Sequence, residues 1–409
     1  MPARSPVSEI SSLAPQQEIT QIAELRAVHA AFHYLHNQEM EFRRWQMELA
    51  EIAAPPFGEA ARAEWLRQRF GNLELHQVQS DELGNVFGLF KGDEQGPLVG
   101  LSAHLDTVFP QGTSLDARED GNKLYGPGIS DNAAGVVAML AVAAALRHSG
   151  LRPSADVVFI GNVGEEGEGN LRGMRHIFAD PRWSRAISSL LVIDGAGHDT
   201  YVTQALGSKR FEITFRGPGG HSWSDFGVPN PIVSLCRTLA DFSQSEVPDS
   251  PRTTFNVGVI QGGTSVNSIP ESASARVDLR SASPQELQKL EQRLRAAAEA
   301  AAAGGSGDKK ISVEIKTIGD RPAATLSAEA RILQVIRAVD AHLGIKSVAR
   351  LASTDANIPL SLGREAITIG SGGDGGGAHT LREWFDCTQR DLGLKRILLA
   401  LLALTGIQE

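Results

Sequence analysis

The first periodic stretch of the chain places its apolar residues along one side of a helix. From Glu18 to Ala53, the residues Ile22, Leu25, Val28, Phe32 and Leu35 recur at helical spacing, and Pro55-Pro56 closes the pattern. Residues 1–17 precede it and read as a loosely ordered leader. Further on, four apolar runs each give way to polar or glycine-rich residues: PLVGLSAH (97–104), DVVFIGNVG (156–164), SLLVIDG (189–195) and AITIGSG (366–372). The second and third are continuous rather than alternating, which marks strands buried on both faces. Helical tracts such as NAAGVVAMLAVAAALRH (132–148) lie between them. This alternation predicts a three-layer α/β domain with a mainly parallel sheet.

Over 209–319 the pattern changes to strand KRFEITFRG, helix NPIVSLCRTLADFS, strand TTFNVGVIQ, strand SASARVDLR, helix SPQELQKLEQRLRAAAEAAAA and strand KISVEIKTI. The order βαββαβ predicts a compact ferredoxin-like α+β domain, with helices on one face of an antiparallel sheet. Ser283-Pro284 followed by Glu286 starts the second helix, and Gly304-Gly305 stops it. The α/β domain is therefore expected in two pieces, 18–208 and 320–409, interrupted by an inserted domain at 209–319.

Composition narrows the picture a little. A length of 409 residues favours two cores over one. A formal net charge of −9 argues against nucleic acid or an anionic membrane as a partner. The two cysteines, Cys236 and Cys387, form no C-x-x-C pair, which removes a thiolate zinc site and a disulfide framework and fits a reducing compartment. The leader has no apolar h-region, so no signal peptide is expected. The tract ILLALLALTG at 397–406 is shorter than the roughly 20 residues a membrane span needs. The expected setting is the cytoplasm.

The chemistry gathers where ligands bind in open α/β sheets, beyond the carboxyl ends of the strands. The first run ends in His104 and Asp106 of HLDTV, two residues apart and so pointing the same way. GPGISDN brings Asp131 to a helix entry, where as a single residue it also reads as an N-cap. The next runs end in Glu165-Glu166 of GEEGEG and Asp194 of VIDG, and the last ends in GSGGDGGGAHT with His379. Crowded carboxylates repel unless a cation offsets them. A divalent site with two ions sharing a carboxylate accounts for the repetition. Imidazole and carboxylate without thiolate suit catalytic zinc, with cobalt or manganese as alternatives. The Glu165-Glu166 doublet offers one group for a metal and one to remain off the metals as a base.

HLDTV, GISDNAAG, GEEGEG, VIDG and the late AHTLRE stand in that order and flank an inserted βαββαβ segment. Together they resemble the dizinc family of carboxypeptidase G, aminoacylase-1, succinyl-diaminopimelate desuccinylase and peptidase T, over roughly residues 40–405. HLDTV and TDAN at 354–357 look nearest to the peptidase T branch. The resemblance implies that His104 and Asp194 bind one metal, His379 and Glu166 the other, and that Asp131 bridges them, its bond to Asn132 being cis. It implies Glu165 as general base and Asp106 as the group that orients His104. In the inserted domain, His221 resembles the histidine that reaches a neighbouring active site in a dimer and stabilises the oxyanion. Asn267 in GGTSVNSIP and Arg280 in VDLRS match positions that bind the substrate's carboxylate, although Asp278, on the same strand face, offers Arg280 a structural ion pair instead.

The resemblance implies a homodimer joined through the inserted domain and a metal-dependent amidohydrolase of small molecules. The favoured substrate is a di- or tripeptide or related small peptide with a free carboxylate; N-acyl-amino-acid deacylation is the alternative, and a non-catalytic metal- or ligand-binding relative a remote one. A nucleotide-binding reading rests on Gly370, Gly372 and Gly375 as G-x-G-x-x-G, but needs a further βαβ unit where the remaining sequence reads as helix. His29, His33 and His36 share helical spacing without a placed acid partner. Arg172 either touches substrate or anchors its loop. Glu383, four residues after His379, reads as a brace for it from the next helical turn.

Overall fold

The computed structural model describes residues 14–92, 96–303 and 310–408. The chain divides into two compact units, one formed by residues up to Gln204 together with those from Thr325 onward, the other by Ala205–Ala324. The second unit begins and ends slightly outside 209–319, because its first and last strands, Gly207–Arg216 and Ser312–Arg321, extend beyond those bounds.

In the first unit, the four runs marked by the sequence form the parallel centre of the main sheet. Leu98–His104 lies between Val157–Asn162 and Ile187–Ile193, and Ile187–Ile193 in turn pairs with Glu365–Ile369, all parallel. Both margins are antiparallel: Val86–Phe90 pairs with Val157–Asn162 on one side, Thr200–Ala205 with Glu365–Ile369 on the other. The sheet is thus mixed, parallel only at its centre. Val86–Phe90 went unmarked in the sequence, and it belongs to a hairpin with His76–Ser80.

The stretch 18–53 is three helices rather than one: Pro15–Glu24, Arg26–Asn37 and Glu39–Ala50. Extended backbone at Leu25 (ψ 135°) breaks it first, and Gln38 breaks it again. Proline in the first turn of Pro15–Glu24 places ordered helix inside the expected leader, whose residues 1–13 lie outside those described. The longest apolar helical stretch, Ile129–Ser149, could span a bilayer by length, but it is core. Every residue of its Gly135–Leu146 segment is buried.

The second unit follows the βαββαβ order: Gly207–Arg216, Pro231–Phe242, Thr253–Gly262, Ser272–Ser281, Pro284–Ala302 and Ser312–Arg321. Its four strands form one antiparallel sheet. Alternation sends Phe211, Ile213 and Phe215 toward Leu235, Phe242, Leu290 and Leu294 of the two helices, which forms a separate core. Side chains cap both helices: Asn230 accepts from the Ile232 N–H at 2.9 Å, and Ser283 from that of Glu286 at 3.3 Å. The expected Gly304-Gly305 stop lies outside the described residues.

Candidate active site

Parallel strands bring their carboxyl ends to one edge, and the ionisable residues collect there. His104 ends its strand, Glu165 and Glu166 follow Val157–Asn162, and Asp194 follows Ile187–Ile193. The His104 Nε2 atom lies 3.1 Å from Asp131 Oδ1 and 3.6 Å from Asp194 Oδ1. The His379 Nε2 atom lies 3.2 Å from Asp131 Oδ2 and 2.9 Å from Glu166 Oε1. Asp131 thus offers one oxygen to each of two clusters, His104–Asp131–Asp194 and Asp131–Glu166–His379. Glu165 stands with His104 and Glu166 in a third grouping, and its side chain is buried.

The donor set fits two cations. Each histidine turns one ring nitrogen toward carboxylate oxygens alone. Acceptors cannot satisfy one another, so a proton or a metal ion must lie between them. Without metal the imidazoles retain protons. Burial alone would lower His104, but Asp106, Asp131 and Asp194 outweigh it and raise it well above its usual range. Hydrogen bonds to Asp131 and Glu166 push His379 up to about 10. Burial opposes ionisation of Asp131, yet the two histidines hold its carboxyl low. Nitrogen and carboxylate donors around a shared acid fit a pair of divalent ions.

Asp106 acts differently from the expectation. Its carboxylate lies 3.7 Å from His104 Nδ1, too far for a hydrogen bond; the partner of Nδ1 is the Asp106 main-chain oxygen at 3.0 Å. The carboxylate instead accepts the backbone N–H groups of Glu165 at 2.9 Å and Glu166 at 2.7 Å. It positions the glutamate doublet directly and the histidine through the main chain.

The loop that carries Asp131 is fixed from several sides. The Asp131–Asn132 peptide is cis. The Asn132 side chain donates to Ile193 O at 2.9 Å and accepts from the Gly135 N–H at 3.1 Å. A Cβ on Gly135 would stand 2.1 Å from Asn132 Oδ1, so only glycine fits. Glu383 is not on a helix with His379: the chain turns after His379, and Trp384–Asp386 is a strand. Glu383 is fully buried, and its carboxylate accepts N–H groups from Gly128, Ser130 and Asp131. It braces the loop of the acid rather than the histidine.

Three buried polar residues at this edge carried no role in the sequence analysis. Arg62 is wholly enclosed and donates to Ile52 O and Leu105 O; burial lowers it to about 10 despite nearby Asp106, Glu383 and Asp131. Its sequence signal was an arginine on the apolar stripe Arg62, Leu66, Phe70. Asp355 of TDAN accepts from Asn162 Nδ2 at 2.6 Å, and burial raises its carboxyl to about 7. Asn162 sits beside His104 in register. Arg172 proves to be an anchor, with one guanidinium nitrogen 2.8 Å from both carboxylate oxygens of Glu59.

The second unit carries His221 and Asn267 on one small ribbon, where Gly220–His221 pairs with Ser268–Ile269. Both side chains are exposed. His221 Nδ1 accepts the N–H groups of Trp223 at 3.2 Å and Ser224 at 3.4 Å. In the neutral ring this leaves the proton on Nε2. Asn267 Oδ1 accepts from Ser265 Oγ at 2.5 Å. Arg280 Nε donates to Asp278 at 2.7 Å, and Arg210 reaches the same carboxylate, so the ion pair is formed.

The glycine loop gives no phosphate cradle. Asp374–Gly376, at the end of the motif, is a strand paired with Trp384–Asp386, and among the described residues the segment after that pair forms one helix, Arg390–Thr405, rather than a βαβ unit. Gly372, with φ +90° and room for no Cβ beside Arg390 O, lets the loop fold back; His379 also adopts a left-handed backbone, φ 64°. His29 and His33 are exposed and, among the described residues, in no ligand grouping, while His36 lies 3.5 Å from Asp391.

The profile of Peptidase family M20/M25/M40 matches residues 100–403. The chain is 23% identical over 346 residues to the uncharacterized protein YqjE of Bacillus subtilis, covering 80% of this chain and 88% of that one. It is 25% identical over 232 residues to carboxypeptidase G2 of Pseudomonas sp., covering 54% of this chain and about half, 55%, of that enzyme. Among solved structures, the aminopeptidase PepT of Bacillus cereus superposes with a TM-score of 0.72 at 18% identity, over 90% of this chain and 98% of its own.

Proposed function

The chain belongs to the M20/M25/M40 peptidases, and on that premise we propose that it is a metal-dependent hydrolase cleaving an amide bond in small peptides with a free carboxylate. The observation that carries this reading is Asp131, shared between two histidine–carboxylate clusters with Glu165 beside them. His104 and Asp194 would hold one ion and His379 and Glu166 the other, with Asp131 contributing to both groupings. Zinc suits these donors best, with cobalt or manganese as alternatives. Such a pair, when bound, polarises a carbonyl and acidifies water.

The protein's own groups do the rest. Glu165, off the metals, takes the proton of the attacking water and delivers it to the departing amine. Asp106 fixes where Glu165 and Glu166 stand through their backbone N–H groups. His221, acting from a second copy of the chain in a homodimer, offers Nε2–H to the developing oxyanion. Arg280 and Asn267 grip the substrate carboxylate, which competes with Asp278 for the guanidinium. Both cysteines are unpaired, in keeping with a cytoplasmic setting.

A panel of di- and tripeptides against N-acetyl and N-succinyl amino acids, run on zinc-loaded protein, tests the substrate class. Hydrolysis of the peptides is expected. Preference for the N-acyl compounds would reassign the enzyme as a deacylase, and inactivity on both would sink the reading.

A further inference from the structure

We propose that Glu383 is the positioning residue that couples the two metal sites, by locking the loop of the bridging Asp131 to the loop of His379. The inference rests on the dinuclear reading above. Glu383 Oε2 accepts the Gly128 N–H at 2.9 Å, while Oε1 accepts those of Ser130 at 2.8 Å and Asp131 at 2.7 Å. All three donors lie within four residues ending at the shared acid. The Glu383 main-chain oxygen also accepts the Gly126 N–H at 3.1 Å. The neighbouring residue Trp384 pairs with Tyr125 in an antiparallel ladder, which fixes the Glu383 backbone. His379 lies four residues upstream on the same chain, and its Nε2 meets the other oxygen of Asp131. Glu383 is therefore the point where the segment bearing one metal's histidine grips the segment bearing the acid common to both.

The residue is built for this and not for ligation. Its oxygens already face three N–H donors, and among the described residues it is in no ligand grouping. A wholly buried carboxylate needs compensation. The N–H groups supply part of it, and the enclosed cation Arg62, which also faces Asp106 and Asp131, supplies more. Arg62 Nη1 donates to Leu105 O, between His104 and Asp106, so the same cation touches the first metal's segment. Glutamine in place of Glu383 keeps the shape but turns an NH2 group toward an N–H donor, which must shift the loop.

The test uses the full-length protein stripped of metal, with zinc titration by calorimetry and thermal unfolding of the stripped form. Glu383→Gln is expected to weaken zinc binding at both sites by about 10- to 100-fold. The stripped variant should unfold near the wild-type temperature. Asp194→Ala, by contrast, should weaken one site. Glu383→Asp, which keeps the charge but falls one methylene short, should also weaken both sites. Wild-type zinc affinity in both Glu383 variants, with only a lowered unfolding temperature, would overturn the proposal, as would failure of both to fold, since either makes Glu383 a residue of the scaffold alone. If the wild-type protein itself binds no zinc, the dinuclear reading fails first; two sites in wild type that Glu383→Gln leaves intact defeat this inference alone.

Discussion

The rim of the main sheet and the small ribbon of the second unit carry chemistry in opposite ways. At the rim, His104, Asp106, Glu165 and Glu166 are buried, and each is tied down by another member of the cluster or its backbone. On the ribbon, His221 and Asn267 are exposed and make only local hydrogen bonds, beside Trp223 and Phe226 at 85% and 91% exposure. Burial raises the strength of charge interactions and fixes geometry, which suits holding cations and timing a proton transfer. Exposed groups on a short ribbon suit contact with something that arrives, a substrate or another chain. The difference teaches that one region should govern metal content and proton transfer, and the other contacts with the substrate and its developing charge.

The largest expected effect tests the rim. Glu165→Gln should keep both metals and lower kcat by about 100- to 10,000-fold. Metal analysis alongside steady-state rates checks it, and near-normal turnover would remove Glu165 as the base. The next test asks whether the ribbon is only a binding surface. His221→Ala should lower kcat about 100-fold or more with zinc content unchanged. A rise in KM at constant kcat would instead make His221 a uniform binder.

A smaller effect separates the ion pair from substrate recognition. Arg280→Ala should raise KM for peptides with a free carboxylate by roughly 10- to 100-fold, the worth of a charged hydrogen bond. C-terminally amidated peptides should be poor substrates for wild type and little altered in the variant. Arg280→Lys should not restore binding, because an ammonium lacks the fork. Equal losses on amidated and free peptides would leave Arg280 as a structural partner of Asp278.

The smallest effect is a pH dependence confined to stripped protein. His379 rises from 6.5 to about 10 in the fold, through Asp131 and Glu166. A group raised in this way stabilises the folded form fully below the unfolded value and loses that contribution as pH climbs. The unfolding temperature of stripped protein should therefore fall between pH 6.5 and about 10, less so in His379→Ala. Zinc-loaded protein should lack this slope, since a metal replaces the proton.

Much of the architecture was legible because it follows from local pattern. Four apolar runs, two of them continuous, marked the four parallel strands, and the order of strand-like and helical segments marked the βαββαβ unit, since burial on two faces or one leaves different traces in sequence. The antiparallel margins were not legible, nor were the breaks at Leu25 and Gln38 in the first helical stretch. A short strand such as Val86–Phe90 is defined by its partner rather than by its own residues.

For the site, the sequence by itself determined which ionisable groups end the strands: His104, Glu165, Glu166, Asp194 and the late His379. Strand ends converge whenever strands run parallel, so order along the chain carried that information. Only the tertiary structure decided what those groups touch. It turned the Asp106 carboxylate to the Glu165 and Glu166 backbone, gave Arg280 to Asp278, and set Glu383 beneath the Asp131 loop, 252 positions away in sequence. It also enclosed Arg62 among carboxylates contributed by distant segments. Local pattern fixes which face of an element is buried. Hydrogen bonds between remote segments depend on ångström-scale placement that no local pattern encodes.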